Sequence, residues 1–164
     1  MKKDLCGYAG KILRVDLSSG TIHFDKTEKY IPQYIGGLGI GLKIMWDEVG
    51  PHVKPYDPEN LLIFAAGPLT ATWVPCAGRA TVISNSPVAY PINHVTRSSF
   101  GGHFGAEMKL AGFDLIVLSG KAKEPVYLSI KDEKVTIKKA REIWGTDSFS
   151  AQKLMIEQEK DLQA

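Results

Sequence analysis

Arg97-Ser98-Ser99-Phe100-Gly101-Gly102-His103-Phe104-Gly105-Ala106-Glu107-Met108-Lys109-Leu110-Ala111-Gly112 sets two adjacent glycines ahead of a short apolar segment. Phe104, Met108 and Ala111 fall at i, i+4 and i+7, one face of a helix. Gly112 stands where a helix C-terminus would want a residue free of Cβ. The spacing puts Gly101 and Gly102 at the first turn, where backbone N–H groups lack intrahelical partners and an anion can approach closely. A tight turn of small residues made for packing is the simpler reading of Gly-Gly alone, so the rest of the chain has to decide.

The 164 residues are 44% hydrophobic and 23% charged, an ordinary balance for one globular domain with a real core, and we read 1–164 as a single domain. A net charge of +2 makes no case for nucleic acid, and no basic stripe supplies one. Lys138, Lys139 and Arg141 read as solvated surface at a strand's end. Cys6 and Cys76 have no CxxC spacing, which argues against a zinc or iron–sulfur site built from this chain. Cys76 reads as a small buried hydrophobe. No apolar run follows Met1-Lys2-Lys3-Asp4-Leu5, so no signal peptide is expected. No stretch approaches the ~20 apolar residues of a membrane span. A cytoplasmic setting is the expectation.

Working outward, Lys11–Leu17 and Thr21–Asp25 alternate apolar and polar residues around Ser18-Ser19-Gly20 and predict a β-hairpin, with His23 facing outward. Ile35, Leu38, Leu42, Met45, Trp46 and Val49 predict a helix within Pro32–Val49. Gly36, Gly37, Gly39 and Gly41 interrupt it, so either the helix starts after them or another backbone packs on that face. These glycines do not fit GxGxxG, and no βαβ unit precedes them. Leu61–Ala66 predicts a core strand, and Arg79–Ser84 and Asp114–Gly120 predict two further strands. Tyr90–Thr96 is weakly extended. Pro125–Ile130 and Lys134–Ile137 predict a second hairpin, and Thr146–Asp161 a last helix capped by Thr146, Asp147 or Ser148. The fold class is α+β, mostly antiparallel hairpins with a few helices.

Arg79 opens its strand directly after Gly78, at the mouth of an irregular loop. Its guanidinium can fork onto a phosphate or a pterin-type heterocycle, or it can form a surface ion pair. If its strand meets Gly101-Gly102, the two hold an anion from two sides. His103 could touch such an anion, and Glu107 could act as a base, although a solvent-facing glutamate is the plainer reading. His94 and His103 have no metal-ligand spacing on their own. There is no GxSxG, HExxH or Walker lysine.

With these residues in view, the chain resembles the N-terminal domain of the aldehyde ferredoxin oxidoreductase family of tungsten enzymes, from about Gly7 to Trp144. The resemblance is carried by Gly10–Leu17 with Ser19-Gly20, Ile35–Gly39, Asn60, Ala65–Thr70 and Gly78-Arg79. Its most specific parts are Gly101–Lys109 and Ala111–Asp114, and Ile143-Trp144-Gly145 closes it. It implies a domain at the base of a bis-pterin tungsten or molybdenum site. Arg79 matches the arginine that contacts the pterin cofactor, and the residues before and within Gly101-Gly102 match those that contact its phosphates. A magnesium ion between the two phosphates would take the backbone carbonyl of Ser99, where the family often has asparagine.

The resemblance also implies that 4Fe–4S cysteines and the rest of the cofactor cradle lie in further domains or a partner subunit absent from this chain. The expectation is an N-terminal part of an oxidoreductase acting on aldehydes or related substrates, with ferredoxin or another electron carrier as partner. On its own the chain is not expected to be active, and it assigns no catalytic residue. A stand-alone pterin-binding or assembly module is the alternative, and a homo-oligomer is left open. An apolar sheet face would suit a fragment or an assembly subunit, and a polar one an independent protein.

Overall fold

The computed structural model describes residues 6–161 apart from Tyr90 and Asn93. The first hairpin forms as expected, β1 (Lys11–Asp16) against β2 (Thr21–Lys26). After α1 (Gly36–Glu48) come β3 (Leu62–Ala66), β4 (Ala80–Asn85), β5 (Val95–Phe100), α2 (Phe104–Leu110) and β6 (Phe113–Ser119). The second hairpin is β7 (Val126–Lys131) with β8 (Lys134–Lys139), and α3 (Ser148–Glu159) follows. Six strands form one sheet in the order β2-β1-β6-β3-β4-β5, and β7-β8 form a small second sheet. Only β1 and β6 pair in parallel; the remaining pairs are antiparallel, so the α+β class stands.

The large sheet is covered on both faces, and the period-2 alternation of its strands sorts the core accordingly. Ile12, Ile63, Ala65, Ile83, Leu115 and Val117 pack beneath Ile40, Ile44 and Met45 of α1. Leu13, Val15, Ala66 and Ile116 face the other way, toward Met108 of α2 and the half-buried Leu128, Ile130, Val135 and Ile137 of the small hairpin. Two-sided burial is why the sequences of β3 and β6 are near-continuous apolar runs. Toward the other end of this second face the cover gives out. Leu62, Val82 and Leu118, with Tyr56 alongside, line an open groove of ≈ 630 Å³.

Two expectations change. The first helix begins at Gly36, not Pro32, and keeps all four glycines. A Cβ at Gly37 would lie 2.7 Å from the Ala66 carbonyl oxygen and 2.8 Å from Ala65 Cβ, and one at Gly41 would collide with Ile83 Cδ1. These glycines, four residues apart on one face, let the helix backbone lie directly on β3 and β4. Second, the extended segment expected over Tyr90–Thr96 lies further along: Val95–Phe100, with Ser98 and Ser99, forms β5. Pairing with β4 extends this polar, exposed edge strand, which no alternation in the sequence announces. Of the segment expected to be weakly extended, Tyr90 and Asn93 lie outside the described residues.

A buried carboxylate ties these layers together. Asp114, at the second position of β6, is 0% exposed. Its Oδ1 accepts from Ala9 N at 2.9 Å and from Lys109 Nζ at 2.9 Å. Its Oδ2 accepts from Gly10 N at 2.8 Å and from Thr27 Oγ1 at 2.7 Å. Lys109 also donates to the Gly7 carbonyl. Tyr8 closes the other side, its hydroxyl accepting from Gly36 N at 3.0 Å, at the start of α1.

The last helix is attached differently. Asp147 caps it, accepting from Phe149 N at 3.0 Å and Ser150 N at 3.1 Å, yet none of its residues is buried. Glu159 holds it to the small hairpin, accepting from Lys138 Nζ and the Tyr127 hydroxyl, each at 2.7 Å. Lys138, Lys139 and Arg141 are therefore paired rather than merely solvated, the latter two with Glu124 at 2.7 Å.

Replacing Gly37 with Ala is expected to cost about 1–3 kcal/mol through overpacking, in spite of better helix propensity. Gly39→Ala, whose Cβ would meet only Tyr34 Cβ at 3.7 Å, is expected to stabilise by about 0.5–1 kcal/mol. Urea unfolding of the two variants checks the opposite signs. A pH dependence follows from Glu159, which Lys138 and then Tyr127 hold below its ordinary value of 4.5. Its attraction is complete above that value and is lost as pH falls through the lower, folded one. Amide protection along α3, taken relative to the intrinsic exchange rate at each pH, is expected to fall as the pH drops below Glu159's ordinary value, by more than the protection in β6 does.

Candidate functional site: an open anion cradle

The site is built where two connections meet at one end of the large sheet. One runs from β3 through residues 67–79 into β4; the other joins β5 to α2 through Gly101-Gly102-His103. The β4–β5 register pairs Ala80 with Phe100, and continued by one and two residues it sets Arg79 beside Gly101 and Gly78 beside Gly102. The approach is direct: a Cβ on Gly78 would lie 3.7 Å from the Gly102 carbonyl oxygen. The strand of Arg79 and the glycine turn therefore do meet.

The glycines are needed for different reasons. Gly102 has φ +85°, a left-handed conformation that L side chains avoid, and it turns the chain out of β5. At both Gly101 and Gly102 the space a Cβ would take is open, with nothing within 4 Å. Gly105 is tight instead: a Cβ there would stand 3.1 Å from Ala80 Cβ and 3.4 Å from the Gly78 carbonyl oxygen. It seats the first turn of α2 directly on the start of β4, above the buried Thr70.

Three phenylalanines fix the shape of the turn. Phe100 precedes it and Phe104 follows it, with ring centroids 5.4 Å apart, and both lean on Phe64 of β3 at 6.4 and 5.6 Å. Tilted and edge-on contacts at these distances are favourable and hold both ends of the turn against one strand.

The helix placement corrects one expectation. α2 starts at Phe104 after His103, so both glycines precede the helix rather than forming its first turn. Gly112, with φ +97°, ends it as expected. The Arg79 side chain is exposed and makes no ion pair or hydrogen bond with any described residue, so the surface-pair alternative is not realised among them. Ser99 lies on exposed edge strand β5 opposite Thr81, two residues before Gly101. His103 and Glu107 are both exposed, and His103 offers no side-chain cap. Cys76 is exposed with φ 60°, not buried as its residue type suggests, because the 67–79 connection turns there through a left-handed residue.

Chemically, the arrangement offers one unpaired guanidinium and an open, Cβ-free turn, a set of donors suited to a phosphate-bearing ligand. Among the described residues no three His, Cys, Asp or Glu side chains gather as metal ligands, and no helix is long and apolar enough to cross a membrane. Sequence reasoning did not single out Gly105, the phenylalanine triangle or the Lys109–Asp114 pair. The spacing of Phe100 and Phe104 around Gly101-Gly102 was the available signal.

Fold and turn together define an α+β domain that presents an open glycine turn and an exposed arginine at a sheet end. The family model for "Aldehyde ferredoxin oxidoreductase, N-terminal domain" matches residues 12–164, and the chain belongs to that family. It is similar to the tungsten-containing aldehyde ferredoxin oxidoreductase of Pyrococcus abyssi, 45% identical over 95% of this chain and 24% of that protein. The Pyrococcus horikoshii protein of the same description is 42% identical over 94% of this chain and 25% of its own length. Among solved structures, the BamBC active-site complex of benzoyl coenzyme A reductase with 1,5-dienoyl-CoA aligns at TM-score 0.90 and 37% identity, over 94% of this chain and 23% of that one. The chain thus spans about a quarter of the length of the relatives it matches.

Because Gly105 sits at the closest approach of α2 to β4, Gly105→Val is expected to destabilise by about 1–3 kcal/mol. Gly101→Ala, in open space, is expected to cost less than about 1 kcal/mol. Thermal unfolding of both variants checks the contrast.

Proposed function

We propose that this domain forms the phosphate-holding base of a bis-pterin cofactor site in a tungsten, or molybdenum, oxidoreductase. The observation that carries the reading is the meeting of Arg79 with the Gly101-Gly102 turn. A free guanidinium and two Cβ-free positions converge where the family resemblance puts contacts to the cofactor. The residues fit such a group: the arginine has no described partner to give up, and neither glycine position is filled. Arg79 would fork onto a pterin edge or a phosphate oxygen, and Gly101 and Gly102 would leave room for the phosphates against the backbone. The Ser99 carbonyl would contribute to a magnesium ion between them.

The metal and its pterins supply the two-electron redox chemistry, and these residues bind and orient them. In the reaction of the complete protein, an aldehyde or a related substrate is converted to the carboxylic acid. A 4Fe–4S cluster held outside residues 1–164 would carry the two electrons released to ferredoxin, in the cytoplasm. The open apolar groove beside Leu62, Val82 and Leu118 supports a domain covered by further polypeptide over a free-standing one.

Pyrophosphate titration of the chain by calorimetry and amide NMR tests the cradle. Arg79→Ala is expected to weaken binding at least about tenfold, the loss of one charge-assisted contact. Arg79→Lys keeps the charge but not the fork and should fall between. Binding indifferent to Arg79, or shifts that avoid Gly101 and Gly102, would remove the reading. Metal and pterin analysis of the same sample then separates an oxidoreductase part, loaded only with its missing domains, from a module that loads alone.

A further inference from the structure

We propose that Lys109 and Asp114 are positioning residues of the cradle, setting the seat of α2 on β4 and with it the opening between the glycine turn and Arg79. The inference rests on the cofactor reading for its purpose, but its geometry stands apart from it. Three elements bear on the cradle: the 67–79 connection that delivers Arg79, the turn at Gly101-Gly102, and α2 behind that turn. The buried pair holds α2 directly and reaches the root of the connection through Gly7, and α2 carries the restraint to the turn at its other end.

Lys109 lies on α2, with a side chain only 7% exposed, and its ammonium bonds Asp114 at 2.9 Å. That ammonium also bonds the Gly7 carbonyl and lies 5.5 Å from the centre of the Tyr8 ring. Gly7 in turn packs so closely on Pro68 that a Cβ would strike the Pro68 carbonyl. Pro68 begins the connection that ends at Arg79. One cation thus draws α2 toward the strap at residues 7–10 and the strap toward the root of the Arg79 loop. A helix of seven residues has few backbone bonds of its own to hold its position. The remaining restraints on α2 are the Gly105 contact with β4, the Phe104 rings and the packing of Met108.

A merely stabilising role would tolerate the loss of any one donor to Asp114 equally. A positioning role makes Lys109 different from Thr27, which bonds the same carboxylate from the β2 side and the Gly10 carbonyl through its N–H, and makes no hydrogen bond to α2 or to residues 67–79 among the described residues. The test compares Lys109→Met, Lys109→Arg and Thr27→Val in the full chain, with thermal stability measured for each. Two readouts are used: the NMR cross-peak between the Ala80 methyl and the Gly105 α-protons, and the affinity for inorganic pyrophosphate. Lys109→Met is expected to lose the cross-peak and to bind pyrophosphate about tenfold or more weakly, as loss of orienting groups does elsewhere. Lys109→Arg is expected to restore both, and Thr27→Val to keep both while melting at a lower temperature.

A cross-peak that persists in Lys109→Met, or that Thr27→Val loses equally, overturns the inference. Should Lys109→Met fail to fold, Lys109→Gln, which keeps a donor without the charge, is scored by the same two outcomes. A wild-type chain that binds no pyrophosphate defeats the cofactor reading alone, because the cross-peak still decides where α2 is seated.

Discussion

A carboxylate taken out of water is costly unless every lone pair finds a donor. In this fold one such group, Asp114, sits where three other segments converge on β6, and together they supply four donors. Two backbone amides come from the strap at residues 9 and 10, a hydroxyl from the end of the first hairpin, and an ammonium from the short helix. The pairing of β1 with β6, the single parallel contact of the sheet, begins beside this carboxylate, where Lys11 lies opposite Phe113. Removing one donor leaves the charge partly satisfied; removing the carboxylate orphans four donors at once. The network is therefore a constraint on topology as well as a local bond set, because it joins the strap and the helix at the same carboxylate.

The same logic of close approach governs α1. Helices rich in glycine are poor helices in isolation. Here the deficit is offset by contact, since Gly37 and Gly41 allow the helix axis to sit nearer the sheet than any Cβ would permit. That proximity buries Ile40, Ile44 and Met45 against both central strands. It also brings Gly36 within reach of the Tyr8 hydroxyl, so the strap held by Asp114 ends at the first turn of this helix. The two tight interfaces, α1 on β3 and α2 on β4, share the segment between Ala65 and Ala80, where the cradle arises.

Much of this order is legible in the amino-acid sequence, and the exceptions have a common cause. The two hairpins, the buried strands β3 and β6 and the capped last helix are announced by alternation, apolar runs and the Asp147 cap, all local signals. The meeting of Arg79 with Gly101-Gly102 is legible only as a condition, because it depends on the β4–β5 register, which no local pattern encodes. β5 itself is obscured by its composition: Thr-Arg-Ser-Ser has no alternation to read, and its extension comes from its partner. The glycines of α1 pose a correct alternative without deciding it, since what packs against them lies some 25–40 positions away. Cys76 misleads because residue type predicts average burial, whereas a left-handed turn in an exposed loop sets its actual place.

The division of labour within the cradle follows from these constraints. A phosphate held mainly by a turn's backbone needs that turn rigid, because a displacement of a fraction of an ångström changes every contact together. Here rigidity is supplied from outside the turn. The phenylalanine triangle grips its two ends, Gly105 seats the segment behind it, and the open face is left to Gly101 and Gly102. Arg79 stays exposed and has no ion pair or hydrogen bond among the described residues, so there it has no protein contact to break before meeting a ligand. A turn open on its outer face beside an exposed arginine suits the part we propose for this domain, the floor of a larger active centre.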